Sequence, residues 1–230
     1  MPIVPFTSAK GGAGKSTSCA ILGTRLAARG YKVTILDADR NQPISRWHSR
    51  AKNKVFDVIS DVKTENVIKE IDRAYRESDM VLVDLEGSTN MTASRAIARA
   101  TMVIVPLGAT QLDADEAFKS AGLVQDEEEV LGKRIPFHML MTKCRARPTI
   151  GERNIRADIE KLQLPLFETR IQLRVAYESM FTFAATLDDF IRLGIKEVNG
   201  VEEAIANADK WVDEVEIALG KITGEGRDAA

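Results

Sequence analysis

The sequence predicts an α/β fold: a doubly wound, mostly parallel sheet with helices on both faces. Short apolar runs alternate with helical patterns along the chain, a glycine-rich turn follows the first run and opens the first helix, and the polar motifs fall where later runs end. Strand, helix and strand in succession imply right-handed crossovers, with ligands taken at the carboxyl ends of the strands.

Ile3–Phe6, Val33–Leu36, Met80–Leu85, Met102–Pro106 and Phe137–Met141 are nearly continuous apolar runs, which reads as strands buried on both faces. Between them, Ser16–Arg29 is a helix closed by Gly30, and Asp113–Leu131 is a helix closed by Gly132. Near the end, Val201, Ile205, Ala208, Val212, Val215 and Leu219 form one apolar stripe of a final helix, Val201–Leu219. Its other face carries Glu202, Glu203, Asp209, Asp213, Glu214 and Glu216, so the stripe is expected on the body of the domain and the acids in water. Residues 1–222 are expected to form a single domain and 223–230 a flexible tail.

A chain of 230 residues with 44% hydrophobic content can bury one sizeable core. Its formal net charge of −2 supplies no global attraction to nucleic acid or membrane, so any such binding must come from a local patch. Cys19 and Cys144 lie far apart with no metal-ligand spacing, which suits a reducing cytoplasm. No apolar stretch approaches the length of a membrane span, and no membrane role is expected. His48 and His138 are isolated in sequence and argue for neither catalysis nor metal.

Directly after the first apolar run, Ala9–Thr17 reads Ala-Lys-Gly-Gly-Ala-Gly-Lys-Ser-Thr, a phosphate-binding loop. Gly11, Gly12 and Gly14, with Ala13 between them, let the backbone curl so that successive N–H groups face phosphate oxygens, and the helix opening at Lys15 adds its positive end. Lys15 is expected on the β- and γ-phosphates, Ser16 on Mg²⁺, and Thr17 on the phosphates through the same helix start. The chain is therefore expected to bind ATP with Mg²⁺. Val81–Asp84 is an apolar strand ending in an acid, the arrangement in which the carboxylate holds Mg²⁺ through water, so Asp84 joins Ser16 as a metal candidate.

The usual loop has glycine six residues before the lysine; here Ala9 takes that place and a second lysine, Lys10, follows it. Lys-Gly-Gly-x-Gly-Lys-Ser resembles the deviant Walker A motif of the ParA/MinD family of P-loop ATPases. The resemblance implies that Lys10 crosses a dimer interface to the partner's nucleotide, so that two ATP molecules are shared between two subunits and dimerisation reports ATP binding. Leu36-Asp37-Ala38-Asp39 resembles the family's Asp-x-Asp motif. By that likeness Asp39 positions the attacking water, and Asp37 supports Lys15 or a water on Mg²⁺. Gly87 would present its N–H to the γ-phosphate, although Leu85-Glu86-Gly87-Ser88 departs from the Pro-Pro common after that acid. Thr142 stands where relatives carry an asparagine for adenine, so backbone near Thr142 and Ile171–Leu173 is expected to read the base. Arg46-Trp47 and Leu112–Ala117 are similar to a branch that includes VirC-type proteins of conjugative DNA transfer. The start so close to the loop resembles the short ParA type.

Between Lys133 and Arg174 ten lysines and arginines face four acids, and Arg145, Arg147, Arg153 and Arg156 are expected outward on a loop and the following helix. Such a strip suits non-specific contacts to a phosphate backbone, and a solvated basic face is the plain alternative. With the resemblance, the expectation is a slow Mg²⁺-dependent ATPase. It forms a homodimer with ATP, binds DNA without sequence preference, and partitions DNA cargo with a centromere-binding or adaptor protein. It is expected in the cytoplasm on the nucleoid. An ATP-dependent recruitment factor of conjugative transfer is the second expectation, and a metabolic P-loop enzyme the third.

Overall fold

The computed structural model describes residues 1–87 and 90–228. Ser88, the last residue of the expected Leu85–Ser88 stretch, and the last two residues of the expected tail lie outside them.

Six strands, β1 (Ile3–Phe6), β2 (Val33–Ala38), β3 (Asp57–Ile59), β4 (Met80–Leu85), β5 (Val103–Leu107) and β6 (Phe137–Met141), form one sheet in the order β3-β2-β4-β1-β5-β6. Every pairing is parallel. Five strands match the apolar runs. The sixth, β3, is a three-residue edge strand with only half-buried apolar positions, too short to carry a periodic signal.

Nine helices are present among the described residues: α1 (Lys15–Ala28), α2 (Pro43–Arg50), α3 (Val67–Glu77), α4 (Met91–Ala98), α5 (Gln111–Leu131), α6 (Ile150–Lys161), α7 (Val175–Phe183), α8 (Leu187–Arg192) and α9 (Val201–Asp228). Alternate side chains of each strand serve the two faces of the sheet. Val4, Phe6, Ile35, Leu82, Ile104 and Leu140 meet α1, α2 and α7–α9 around the fully buried Trp47, Phe190 and Trp211. On the other face Ile3, Leu36, Val81 and Val83 meet α3 and α4, while Val103, Val105, Met139 and Met141 meet α5 and α6.

Two expectations about the last helix change. Its acids are not all left to water alone: Asp209, Asp213 and Glu216 pair with Arg25 of α1 and Arg29 at its C-cap, and Glu214 accepts from the amides of Glu168 and Thr169. Glu202 and Glu203, in the first turn, and Asp213 stay exposed. The helix backbone also continues to Asp228, past the expected end at Leu219 and through most of the expected tail. Ile222 prolongs the apolar stripe against the core, Thr223 Oγ1 donates back to the Leu219 carbonyl at 2.9 Å, and no proline stops the helix.

Candidate functional site: a phosphate loop facing two acidic turns

The 9–17 loop leaves the carboxyl end of β1, which lies between β4 and β5, and so opens where the strand order reverses. Gly14 caps α1 at φ 92°, a left-handed conformation, and a side chain there would meet Thr142 Oγ1 at 3.1 Å. The loop is strapped at both ends. The Ala9 amide donates to Ser120 Oγ at 2.8 Å, and Thr142 Oγ1 donates to the Ala13 carbonyl at 2.8 Å.

Gly11, Gly12, Gly14, Lys15, Ser16 and Thr17 line one side of a cleft of about 370 Å³. Asp39, Asn41, Glu86, Gly87 and Lys143 complete it. A larger cavity of about 830 Å³ lies at the amino end of β6 between α5 and α9, and none of the predicted site residues lines it.

Lys15 is buried, and its Nζ donates to the Lys10 carbonyl at 3.2 Å. Burial lowers its pKa, against the pull of Asp84, Asp39 and Glu86. Asp84 is fully buried at the end of β4. Among the described residues, neither of its oxygens meets ordinary hydrogen-bond geometry with a partner. Burial pushes its carboxyl up to about 8, although the nearby Ser16 hydroxyl favours the ionised form. A buried, unpartnered carboxylate beside a serine hydroxyl and a phosphate loop fits Mg²⁺, which takes few protein ligands and completes its shell with water and phosphate.

Asp37 is less free. Its oxygens accept from the amides of Ser45, at 2.7 Å, and Asp39, at 3.4 Å, so the carboxylate holds the turn from β2 into α2. Burial raises its pKa. The Asp39 carboxylate opens on the cleft and accepts from the Asn41 amide at 2.7 Å. Gly87 packs so closely on the loop that a Cβ would stand 2.8 Å from the Gly11 nitrogen and 3.0 Å from the Lys10 carbonyl.

Thr142 does not line the cleft. Its amide and hydroxyl both bond to the Leu107 carbonyl and the hydroxyl also holds Ala13, so it supports the loop from behind. The amides expected to read adenine are engaged as well: Ile171 with Met141, Gln172 with the Asn207 side chain and Leu173 with Cys144. Sequence reasoning missed Lys143 as a cleft residue and Asp113 as the partner of Lys10. The signal for Lys143 was its place just past the carboxyl end of β6; nothing in sequence joined positions 10 and 113.

The family model described as VirC1 protein matches residues 1–188, from the first strand into α8. The chain belongs to the VirC1 family. This VirC1-family chain is 34% identical over 192 residues to Protein ParA of Rhizobium radiobacter, covering 81% of this chain and 85% of that protein. Its fold is similar to that of a plasmid partition protein of Borrelia burgdorferi bound to AMPPNP, at TM-score 0.67 and 18% identity, covering 94% and 98% of the two chains. It is equally similar to the MinD cell division protein of Aquifex aeolicus, at TM-score 0.67 and 18% identity, covering 91% and 96%. The VirC1-family chain is thus one of the ParA/MinD P-loop ATPases and shares their fold.

In this VirC1-family chain the basic strip is less uniform than its sequence suggests. Arg145, Arg147 and Arg153 are exposed on the 142–149 turn and α6. Arg156 is instead half-buried between Glu160 and Glu168, because α6 brings Glu160 one turn away and the following loop returns Glu168. Glu152 is buried and holds Arg170, the Arg145 amide and the Thr149 amide, which fixes the turn that presents the other arginines. Among the described residues no helix is long and apolar enough to cross a membrane.

Proposed function

We propose that this chain is a slow, Mg²⁺-dependent ATPase that dimerises around ATP, binds DNA non-specifically as a dimer and positions or partitions DNA cargo. The single observation that carries the reading is the convergence, in one cleft, of the phosphate loop with its Ser16 hydroxyl, Asp39 and Gly87, next to the fully buried Asp84 carboxylate.

The loop amides and Lys15 bind the phosphates. Asp39 accepts a hydrogen bond from the attacking water and orients it, and the Gly87 amide marks the γ-phosphate. Bound Mg²⁺ would supply charge neutralisation on the phosphates, held by Ser16 and, through water, by Asp84. Lys10 adds a cation from the opposite subunit. Support for a dimer comes from the end of the sheet that carries the loop: Met91, Leu112 and Ile150 are all more than half exposed at the starts of α4, α5 and α6, the helices that follow β4, β5 and β6. Exposed apolar side chains on one edge suit burial against a second copy. DNA then meets Arg145, Arg147 and Arg153 from two subunits, which implies a nucleoid-associated cytoplasmic protein working with a centromere-binding or adaptor protein.

The family match favours a second reading, ATP-dependent recruitment in conjugative DNA transfer. Co-sedimentation with random-sequence DNA under ATP, ADP and no nucleotide, beside analytical ultracentrifugation, tests the core proposal. DNA binding and dimers with ATP alone are expected. Equal binding in all three states would refute nucleotide control, and none in any state would remove the DNA role.

A further inference from the structure

We propose that Asp113 is a latch on Lys10: it holds the loop's first lysine on its own subunit, and the contact must open before Lys10 can reach a second copy. The inference rests on the dimer reading above. Lys10 Nζ stands 2.8 Å from Asp113 Oδ1, and this is the one ion pair of Lys10 among the described residues. A lysine so engaged cannot simultaneously lie on phosphate across an interface.

The two partners are held unequally. Asp113 sits in the first turn of α5, where the helix's positive end favours a carboxylate, and its second oxygen accepts from Thr110 Oγ1 at 2.7 Å. It therefore keeps partners when Lys10 leaves. Lys10 has a side chain 43% exposed on a long stem, so it is the member free to swing. The carboxylate occupies space that only glycine leaves open: a Cβ on Gly108 would stand 2.3 Å from Asp113 Oδ2. The neighbouring strap from Ala9 to Ser120 ties the same stretch of loop to the same helix, so the loop's leading edge and α5 hold Lys10 in register with Asp113.

An incoming triphosphate on a second copy offers Lys10 more negative charge than one carboxylate, and the exchange favours the dimer only once ATP is present. Because the pair is partly solvated, its strength corresponds to roughly a two- to fivefold shift in equilibrium, a threshold rather than a block.

The test compares the wild type with Asp113→Asn, which keeps the Thr110 contact, Asp113→Glu, which keeps the charge, and Gly108→Ala, which displaces the carboxylate and leaves both charges. Sedimentation equilibrium with ATP and Mg²⁺ gives the dimerisation midpoint, and competitive acetylation with mass spectrometry gives the exposure of the Lys10 amine in nucleotide-free protein. Asp113→Asn and Gly108→Ala are expected to dimerise at roughly two- to fivefold lower protein concentration. Lys10 should acetylate faster in both, with Asp113→Glu close to wild type. A midpoint unchanged or raised in Asp113→Asn overturns the latch while leaving the dimer standing. If wild type and Asp113→Asn both stay monomeric with ATP, the dimer reading fails and the latch falls with it.

Discussion

Asp37 and Asp84 are register partners across β2 and β4, two carboxylates abreast at the same edge of the sheet. They are not equivalent. Asp37 accepts backbone amides of the turn that follows it, while fully buried Asp84 has only the Ser16 hydroxyl nearby and, among the described residues, no partner in ordinary hydrogen-bond geometry. A buried pair of like groups with one member unsatisfied opposes the nucleotide-free fold and favours a bound cation. Asp84→Asn removes the buried ionisable group while keeping a polar side chain, so it should stabilise the nucleotide-free protein by about 1 kcal/mol. It should also lower ATP hydrolysis by about 10²-fold or more. Thermal unfolding with and without ATP and Mg²⁺ checks both, because the ligand-induced rise in Tm should shrink in the variant as the bare Tm rises.

Gly87 lies against backbone, not against a side chain that could rotate away. An added methyl 2.8 Å from the Gly11 nitrogen must push the β4 turn off the loop. Gly87→Ala is expected to fold and to hydrolyse ATP about 10–10²-fold more slowly, since displacements of about 1 Å in a catalytic arrangement cost up to about 10² in rate. Single-turnover rates at saturating ATP would show it; a wild-type rate would free Gly87 of any part in hydrolysis.

The features legible in the sequence were those with local signals. The loop follows from glycine spacing, the buried strands from unbroken apolar runs, and the end of α5 from Gly132, which adopts φ 61°. Pairings between distant elements left no such trace. Nothing in α9 announced that Asp209 faces α1, and nothing near Thr142 showed its hydroxyl under the carbonyl of Ala13, 129 positions away. The stripe of α9 was readable, but whether its acids met water or arginine depended on which helix packed beside it.

Arg25 shows what that packing is worth. Its guanidinium is nearly buried, bonds both oxygens of Asp209 at 2.8 and 3.0 Å, and reaches Asp188. Arg25→Ala should destabilise the chain by about 1–3 kcal/mol, less than a fully buried pair because Asp209 remains partly solvated. With Asp209→Ala it should give a coupling of about 0.5–3 kcal/mol in a double-mutant cycle followed by urea unfolding. Additivity would mean that α1 and α9 are held by apolar contact alone.

His138 stacks on Phe167 at 4.8 Å between ring centres, and its Nδ1 is buried without a partner. Burial lowers its pKa, opposed by Glu214 and assisted by Lys221. A histidine kept neutral in the fold binds fewer protons than in the unfolded chain. Its contribution is intact above the unfolded value near 6.5 and is lost as pH falls from there toward the lower folded value. His138→Phe should flatten that acid-side decline in urea-unfolding stability between about pH 7 and 5. An unchanged slope would assign the decline to other groups.

The basic strip offers the sharpest internal control, because its arginines differ in how far their charge is already met. Arg145, Arg147 and Arg153 are exposed, whereas Arg156 is held by Glu160 and Glu168. Phosphate binding follows the charge that is free to replace counterions, with a log–log salt slope of about −0.9 for each phosphate neutralised. Arg147→Ala/Arg153→Ala should therefore weaken random-sequence DNA binding and flatten the slope by about 2 for each subunit contacting DNA. Arg156→Ala should change both far less. Pairing two strips in one dimer raises avidity by roughly 10²–10⁴, so the loss should be largest with ATP and small in the monomer. Salt titrations of fluorescence anisotropy would measure each slope. If Arg156→Ala weakens binding as much as the double variant, its two glutamates release it on DNA; if neither matters, the strip is a solvated face and DNA must meet another surface.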